Sequence, residues 1–234
     1  MSAKADATGV RRGPTRRTWR LVNCGLALIG LLLGSVIVAP QLLAFPHVAE
    51  IGGSRIYAER PIDREATTRM LTRADARLAT SPLFDAPVGK RVFLTDGGWR
   101  WHVLAMTSGG ALGLTRPWSD IVSDAVILNR SDVVGDRMMG GSGRSLSSVV
   151  AHERTHVMVR RHLGLIDGIR LPRWIREGYA DHVAGESTLG AAEVAALRAR
   201  DEDHPAIFYY EARRRVETAL AANGGDVEAL LQMQ

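Results

Sequence analysis

Apolar residues form one long unbroken run near the N-terminus of this chain and shorter, spaced clusters thereafter. The run extends over residues 21–45, and Cys24 is its only ionisable residue. As a helix, Leu21–Ala39 would be about 28 Å long, close to the hydrocarbon thickness of a bilayer. The pattern therefore predicts one membrane-spanning helix in this run, followed by a folded domain over residues 46–234.

Beyond the run, stretches with helical spacing are mixed with short β-like stretches, which predicts an α+β domain. The predicted helices are Asp63–Thr80, Trp99–Met106, Gly190–Arg200, Pro205–Asn223 and Asp226–Gln232. The predicted strands are Arg91–Thr95, Ala111–Leu114 and Asp124–Asn129. We expect Pro46–Tyr57 to be an irregular or short extended linker and Gly135–Arg144 to be a loop.

The distribution of charge also distinguishes the N-terminal part of the chain from the rest. The net charge is +5, and the first 20 residues account for all of it, because their only acidic residue is Asp6. Their basic residues are Lys4, Arg11, Arg12, Arg16, Arg17 and Arg20. A basic tail at residues 1–20 predicts a cytoplasmic N-terminus and an extracytoplasmic domain. The balanced remainder leaves no basic face for nucleic acid.

A cleaved signal peptide is the alternative to an uncleaved signal anchor. The apolar core of a signal peptide usually has about 7–15 residues, which is shorter than this run. Pro40 directly after Ala39 also disfavours cleavage at that point. The sequence therefore favours an anchor at residues 21–45. Since Cys24 is the only cysteine, disulfides and cysteine-based metal sites are excluded.

The residues His152-Glu153-Arg154-Thr155-His156 read H-E-x-x-H within a segment of helical spacing. Histidines four residues apart lie on one face of a helix, so both imidazoles can reach one metal ion. Glu153 lies beside that face and can act as a base towards a metal-activated water molecule. A catalytic zinc site needs a third protein ligand, and the pentapeptide does not contain one.

There are two candidates for the third ligand, and both lie C-terminal to the pentapeptide. His162 occupies the position of the last histidine in H-E-x-x-H-x-x-G-x-x-H, but Val159 stands where that motif has its helix-breaking glycine. Glu177 is the better candidate, because it lies early in a helix predicted to begin near Pro172. Asp181 follows four residues later on the same face, where its carboxylate can hold a ligand histidine by the remaining N–H.

Taken together, H-E-R-T-H and the later P-x-W-I-x-E-G-Y-A-D-H resemble the gluzincin metalloproteases, and most of all the small membrane-associated bacterial peptidases of the peptidase MA-like group. The resemblance covers residues 152–182. It implies a zincin-like domain in which His152, His156 and Glu177 bind Zn²⁺ and Glu153 is the general base. Asp181 matches the aspartate that supports a ligand histidine in thermolysin-like enzymes.

The resemblance implies hydrolysis of peptide bonds in a peptide or protein substrate. Gluzincins often place a tyrosine or histidine from the C-terminal part near the metal to stabilise the oxyanion. Tyr209, Tyr210 and His204 are the residues here that could serve, but the sequence favours a core or surface role for each. Zincins also align the substrate along a sheet edge, for which Val126–Asn129 is the candidate, with an ordinary buried strand as the alternative. The alternative function is a membrane-tethered, non-catalytic interaction module on the same fold.

Overall fold

The computed structural model describes residues 16–106, 108, 110–115, 125–130, 136 and 143–233. The chain divides into two units, Met1–Ser35 and Val36–Gln234. Residues 1–15 of the basic tail and most of the predicted loop at residues 135–144 lie outside the described residues.

Helix α1 (Arg16–Val38) contains residues 21–38 of the apolar run. Its segment Trp19–Val38 is long and apolar enough to cross a membrane. The helix stops before Pro40, because the residue preceding a proline is disfavoured in helical conformation, and Pro40–Leu43 form a short 3₁₀ helix. Leu43 and Phe45 are buried in the second unit. The apolar helix therefore ends before residue 45, the end expected for the anchor.

The second unit contains one five-stranded mixed sheet with the order β1-β2-β3-β5-β4. The strands are β1 (His47–Ile51), β2 (Ser54–Ala58), β3 (Arg91–Leu94), β4 (Gly113–Thr115) and β5 (Ala125–Leu128). Strands β2, β3 and β5 are parallel, whereas β1 and β4 are antiparallel to their neighbours. Together with the helices, this sheet confirms the predicted α+β class.

A β-hairpin replaces the linker that we expected over Pro46–Tyr57. Strands β1 and β2 are joined by Gly52 and Gly53, which both have positive φ, and such glycine pairs are typical of two-residue hairpin turns. The linker prediction was therefore wrong. The Gly-Gly pair between two apolar stretches was the local signal for the hairpin.

The position of β5 also differs from our expectation. β5 lies between β3 and β4, and all four of its residues are buried. Val126–Asn129 is therefore not the edge that could align a substrate, and the alternative of a buried strand is correct. Within the described residues, β4 is the edge strand on that side of the sheet.

All five helices predicted with bounds are present, and their ends shift by at most two residues. They are α2 (Arg64–Leu78), α3 (Trp99–Ala105), α7 (Ala191–Ala199), α8 (Pro205–Ala222) and α9 (Val227–Leu231). The segment with His152 and His156 forms α4 (Leu146–Leu163), and the helix predicted near Pro172 is α6 (Arg173–Ala184). Between them lies a short helix that the sequence did not predict, α5 (Leu165–Arg170). Asp63 caps α2 by accepting a hydrogen bond from the amide of Ala66, and Ser145 caps α4 in the same way through Ser148.

Helix α4 runs through the middle of the unit. Its residues 146–160 are all buried, because α2, α6 and the sheet surround it. Helix α6 lies directly against α8, since a Cβ on Gly178 would collide with the carbonyl oxygen of Ala212. The absence of a side chain at Gly178 is what allows this close approach of the two helix backbones.

Candidate metal centre

The helices α4 and α6 bring three potential metal ligands together. The Nε2 atoms of His152 and His156 are 3.1 Å apart. The Oε2 atom of Glu177 is 3.5 Å from Nε2 of His152 and 3.4 Å from Nε2 of His156. The three residues thus form a compact group that could hold a metal ion.

The spacing of these three atoms fits a tetrahedral zinc site. Ligands at about 2.0–2.1 Å from a zinc ion in a tetrahedron lie about 3.3 Å from one another. The observed separations of 3.1, 3.5 and 3.4 Å scatter around that value. Two imidazoles and one carboxylate are also a donor set that zinc hydrolases use, with the fourth position open. The residues therefore fit the ion in both chemistry and geometry.

Asp181 holds His152 from the side opposite to the metal ligands. Its Oδ1 atom is 2.7 Å from Nδ1 of His152, and the aspartate is completely buried. Burial favours the neutral acid, but the hydrogen bond from His152 and the charges of His152 and Arg144 prevail and lower the pKa of Asp181. An ionised carboxylate can only accept, so Nδ1 of His152 is the donor and Nε2 faces the site.

Two partners of Asp181 were not anticipated from the sequence. Nη2 of Arg144 lies 2.8 Å from Oδ1 of Asp181, and both side chains are buried. Ser187 donates a hydrogen bond of 3.0 Å to Oδ2. Neither residue lies at a helical repeat from Asp181. Arg144 ends the stretch that the sequence predicts to be a loop, so no pattern in the sequence indicated its contact with Asp181.

The charges within the group favour a cation. Burial opposes protonation of His152, but its hydrogen bonds to Asp181 and Glu177 outweigh that penalty and raise its pKa to about 9. Burial likewise opposes ionisation of Glu177, yet the nearby His156 and His152 lower its pKa well below the ordinary value. The site therefore keeps an ionised Glu177 and holds positive charge beside it.

A cleft of about 810 Å³ opens onto the ligand group. The buried carboxylate of Glu153 lines it next to His152 and His156. Edge strand β4 forms one wall and comes very close to Glu153, because a Cβ on Gly113 would lie 3.2 Å from Cγ of Glu153. A base, the ligand group and an edge strand thus share one cavity.

The three candidate oxyanion donors differ in their position relative to the cleft. Tyr209 and His204 line the cleft, whereas Tyr210 is absent from its lining. The ring of Tyr209 lies 6.5 Å from that of His152. Nδ1 of His204 accepts a hydrogen bond from the amide of Ala206 and so caps α8. Tyr209 is therefore the residue of the three with a ring beside the ligand group.

His162 does not join the ligand group. Helix α4 continues without a break through Val159 to Leu163, as expected for a β-branched residue in place of glycine. His162 consequently lies on the outer part of the helix, where its Nε2 atom is 2.7 Å from Oε1 of Glu228.

Tryptophans often line substrate clefts, but Trp99 and Trp101 do not contribute to the described lining of this one. Trp101 is buried in the core beneath the sheet, and Trp99 is exposed. Trp118 lies outside the described residues.

Comparisons of the chain with protein-family models, curated proteins and solved structures yield no match. The geometry of the ligand group and its cleft is therefore the basis on which a function can be proposed.

Proposed function

We propose that the protein is a membrane-anchored zinc metallopeptidase of the gluzincin type with a zincin-like domain. The observation that carries this proposal is the spacing of the three Nε2 and Oε2 atoms, which matches a tetrahedral zinc site. The buried Glu153 in the same cleft supports a catalytic role over a structural one, because structural zinc sites are closed by four protein ligands.

His152, His156 and Glu177 would hold the ion, and Asp181 would keep His152 in the tautomer that a metal requires. When bound, zinc lowers the pKa of a water molecule to about 7 and polarises a carbonyl oxygen. The positive charge of Arg144, 2.8 Å from Oδ1, and the hydrogen bond that Ser187 donates to Oδ2 stabilise the ionised form of Asp181. These residues position the site without touching the substrate.

Glu153 would move the proton. Its carboxylate accepts a proton from the attacking water and passes it to the nitrogen of the leaving amine, so that the peptide C–N bond breaks and an acid and an amine form. Tyr209 would donate its hydroxyl to the carbonyl oxygen of the scissile bond. Burial and the nearby Glu177 raise the pKa of Tyr209, which keeps this hydroxyl protonated at neutral pH.

An extended peptide is the substrate form that the cleft suits. Edge strand β4 borders the cleft next to Glu153, and an edge strand presents unpaired backbone groups that can pair with an extended chain. This assigns to Gly113–Thr115 the alignment role that we had expected of β5.

The apolar helix would anchor the enzyme. Segment Trp19–Val38 has the length and hydropathy of a membrane span, and the basic residues before it favour a cytoplasmic N-terminus. The catalytic domain would then act outside the cytoplasm, close to the membrane surface.

The test compares the full chain in detergent with two variants. We expect about one zinc per parent chain. Glu153→Gln should retain the metal and lower kcat/KM on a mixed peptide library by about 10²–10⁴, the usual contribution of a general base. Glu177→Ala should lose the metal. Glu65→Gln, which changes an exposed carboxylate on α2, is the matched control and should behave as the parent.

The outcomes separate the alternatives. Equal cleavage by the parent and Glu153→Gln would refute the peptidase assignment. Zinc bound at full affinity by Glu177→Ala would refute the ligand assignment. Zinc bound by a parent that cleaves no peptide would instead support a non-catalytic interaction module.

A further inference from the structure

Helix α3 exposes large apolar side chains at both of its ends. Trp99, its first residue, is 57% exposed, and Met106, directly after its last residue, is 59% exposed. The inward face of the helix is apolar as well, with the buried residues Trp101, Leu104 and Ala105. A surface helix of a soluble domain usually has a polar outward face, whereas a helix that is apolar on most sides contacts a core or a membrane. The exposed ends of α3 are therefore suited to an apolar partner.

Arg100 links α3 to the segment that follows α1. Its Nε atom donates a hydrogen bond of 3.0 Å to the carbonyl oxygen of Leu43, and its Nη2 atom donates one of 3.2 Å to that of Ala44. Its Nη1 atom lies 2.9 Å from Oε1 of Glu59, so its charge is balanced within the domain. Its Cζ atom lies 4.6 Å from the centre of the Trp99 ring. The first turn of α3 is thus held against the residues that follow α1.

The segment that Arg100 binds comes directly after the candidate membrane span. The span Trp19–Val38 is separated from Leu43 by four residues. Val36, in the last turn of α1, belongs to the second unit. Its side chain packs against the apolar cluster that contains Leu43 of this segment and Trp101 of α3. Helix α3 therefore shares its apolar core with the end of the span, at the level where the chain would leave a bilayer.

We infer that Trp99 and Met106 insert into the interfacial layer of the membrane that α1 would cross, so that α3 forms a second lipid contact of the domain. This inference rests on the proposed anchor and adds a lipid-binding surface to it. Tryptophan is enriched at membrane–water interfaces, because its ring is apolar and its N–H is polar. The partner is lipid, since a bilayer is the apolar medium that the adjoining span itself requires.

The experiment uses single fluorescent labels on the full chain in phosphatidylcholine vesicles that contain a lipid with a nitroxide quencher high on its acyl chain. Met106→Cys and Glu65→Cys are each made together with Cys24→Ser, which removes the native cysteine. Glu65 lies on α2, across the sheet from α3, because α2 packs with Val92 and α3 with the adjacent Phe93 and neighbouring strand residues point to opposite faces.

The two labels should respond differently to the quencher. Apolar side chains of interfacial helices lie about 5–10 Å into the boundary between headgroups and acyl chains, so the label at position 106 should lose about half of its emission or more. The label at position 65 is the control and should keep its emission. Equal quenching at the two positions, or none at position 106, would overturn the inference.

Two further substitutions link the quenching to the surface of α3. Trp99→Ser removes the larger of the two exposed side chains and should reduce the quenching at position 106. Ile166→Ser removes a similarly exposed apolar side chain from α5, at 62% exposure, and should leave that quenching unchanged. Equal effects of the two substitutions would count against a lipid contact through Trp99.

A label on the native Cys24 of the parent separates this inference from the proposed anchor, because Cys24 lies within the candidate span. If the label at Cys24 is quenched and the one at position 106 is not, the span inserts and the lipid contact of α3 fails. If only the label at position 106 is quenched, the anchor fails and the lipid contact stands. Energy transfer between differently labelled Met106→Cys chains, without quenching by lipid, would show that a second copy covers α3 and would also overturn the inference.

Discussion

Helices α1 and α4, of 23 and 18 residues, depart in opposite ways from the usual rule that apolar side chains are buried and charged ones are exposed. Helix α1 exposes its large apolar side chains, with Leu31 at 69% exposure. Helix α4 buries charged side chains, with Glu153 at 6% and Arg154 at 1%. Apolar surface in water and buried charge both cost free energy, so each helix depends on something beyond its own sequence.

The two helices depend on different surroundings. An apolar medium such as a bilayer would stabilise α1, because its backbone is hydrogen-bonded internally and its side chains are apolar. Charged partners stabilise α4: Asp75 binds Arg154, and Asp181 binds His152. The inverted pattern supports the proposed membrane span in α1 and the proposed metal site in α4. Three experiments test this contrast.

The largest effect is expected for Arg154 of α4. Its guanidinium binds Asp75 at 2.5 Å, the hydroxyl of Ser54 at 3.0 Å and the carbonyl of Gly89 at 3.3 Å. Arg154→Met should lower the free energy of unfolding by about 3 kcal/mol, because it leaves these partners without a buried donor. Urea unfolding of the full chain in detergent, followed by circular dichroism, measures the change.

Arg161→Met on the same helix is the control. Arg161 is exposed, and exposed substitutions usually change stability by less than about 0.5 kcal/mol. Equal effects of the two substitutions would show that burial of charge in α4 does not matter for stability.

The next effect concerns the apolar surface of α1. Leu28 lies near the middle of Trp19–Val38 and is exposed. Leu28→Arg should make membrane insertion less favourable by about 2.5–3.5 kcal/mol, the cost of an arginine at the centre of a span. Retention of the chain in vesicles after alkaline extraction measures this. Leu42→Arg changes a residue that is also exposed but lies outside α1, and it should not reduce retention. If both variants stay in the vesicles like the parent, α1 is not the anchor.

The third effect is the pH dependence of zinc binding at α4. Zinc needs the deprotonated Nε2 of His152, whose pKa is raised to about 9 in the folded protein. Below that pH each zinc ion displaces a proton, so the affinity should rise about tenfold per pH unit from pH 7 towards 9 and then level off. Competition with a chelator measures the slope.

Asp181→Asn tests the cause of that slope. It removes the carboxylate that contributes most to raising the pKa of His152, with Glu177 contributing the rest, so the rise of the affinity between pH 7 and 9 should become smaller. It should also weaken zinc binding by about 10–100-fold at high pH, as is usual for partners of ligand histidines. An unchanged slope in this variant would show that Asp181 does not set the protonation of His152.

Features that repeat locally were predictable from the sequence. The helical phase of His152 and His156 and the four-residue step from Glu177 to Asp181 depend only on α-helix geometry, and the structure brings these four residues together. Arg160 follows His156 by four residues, so helical spacing also placed an arginine on the face of α4 that carries the ligand histidines. The hairpin at Gly52 and Gly53 was missed, although its turn residues are local.

Features that depend on contacts between distant segments of the chain were not predictable from the sequence. Whether β4 or β5 lies at the sheet edge depends on the parallel pairing of β3 with β5, and both strands are short and apolar. The contact of Arg144 with Asp181 joins residues far apart in the chain. Its existence depends on how α4 and α6 pack, which no spacing in the sequence encodes.

The sequence by itself thus determined that one apolar helix precedes an α+β domain and that two histidines and a glutamate lie on helix faces suited to one metal ion. Helical periodicity is a local property, and a few residues are enough to specify it. The tertiary structure alone decided which strand borders the cleft, which arginines line it, and that Arg144 and Ser187 contact Asp181. Those contacts arise from packing between distant segments, where shape and burial select the neighbours.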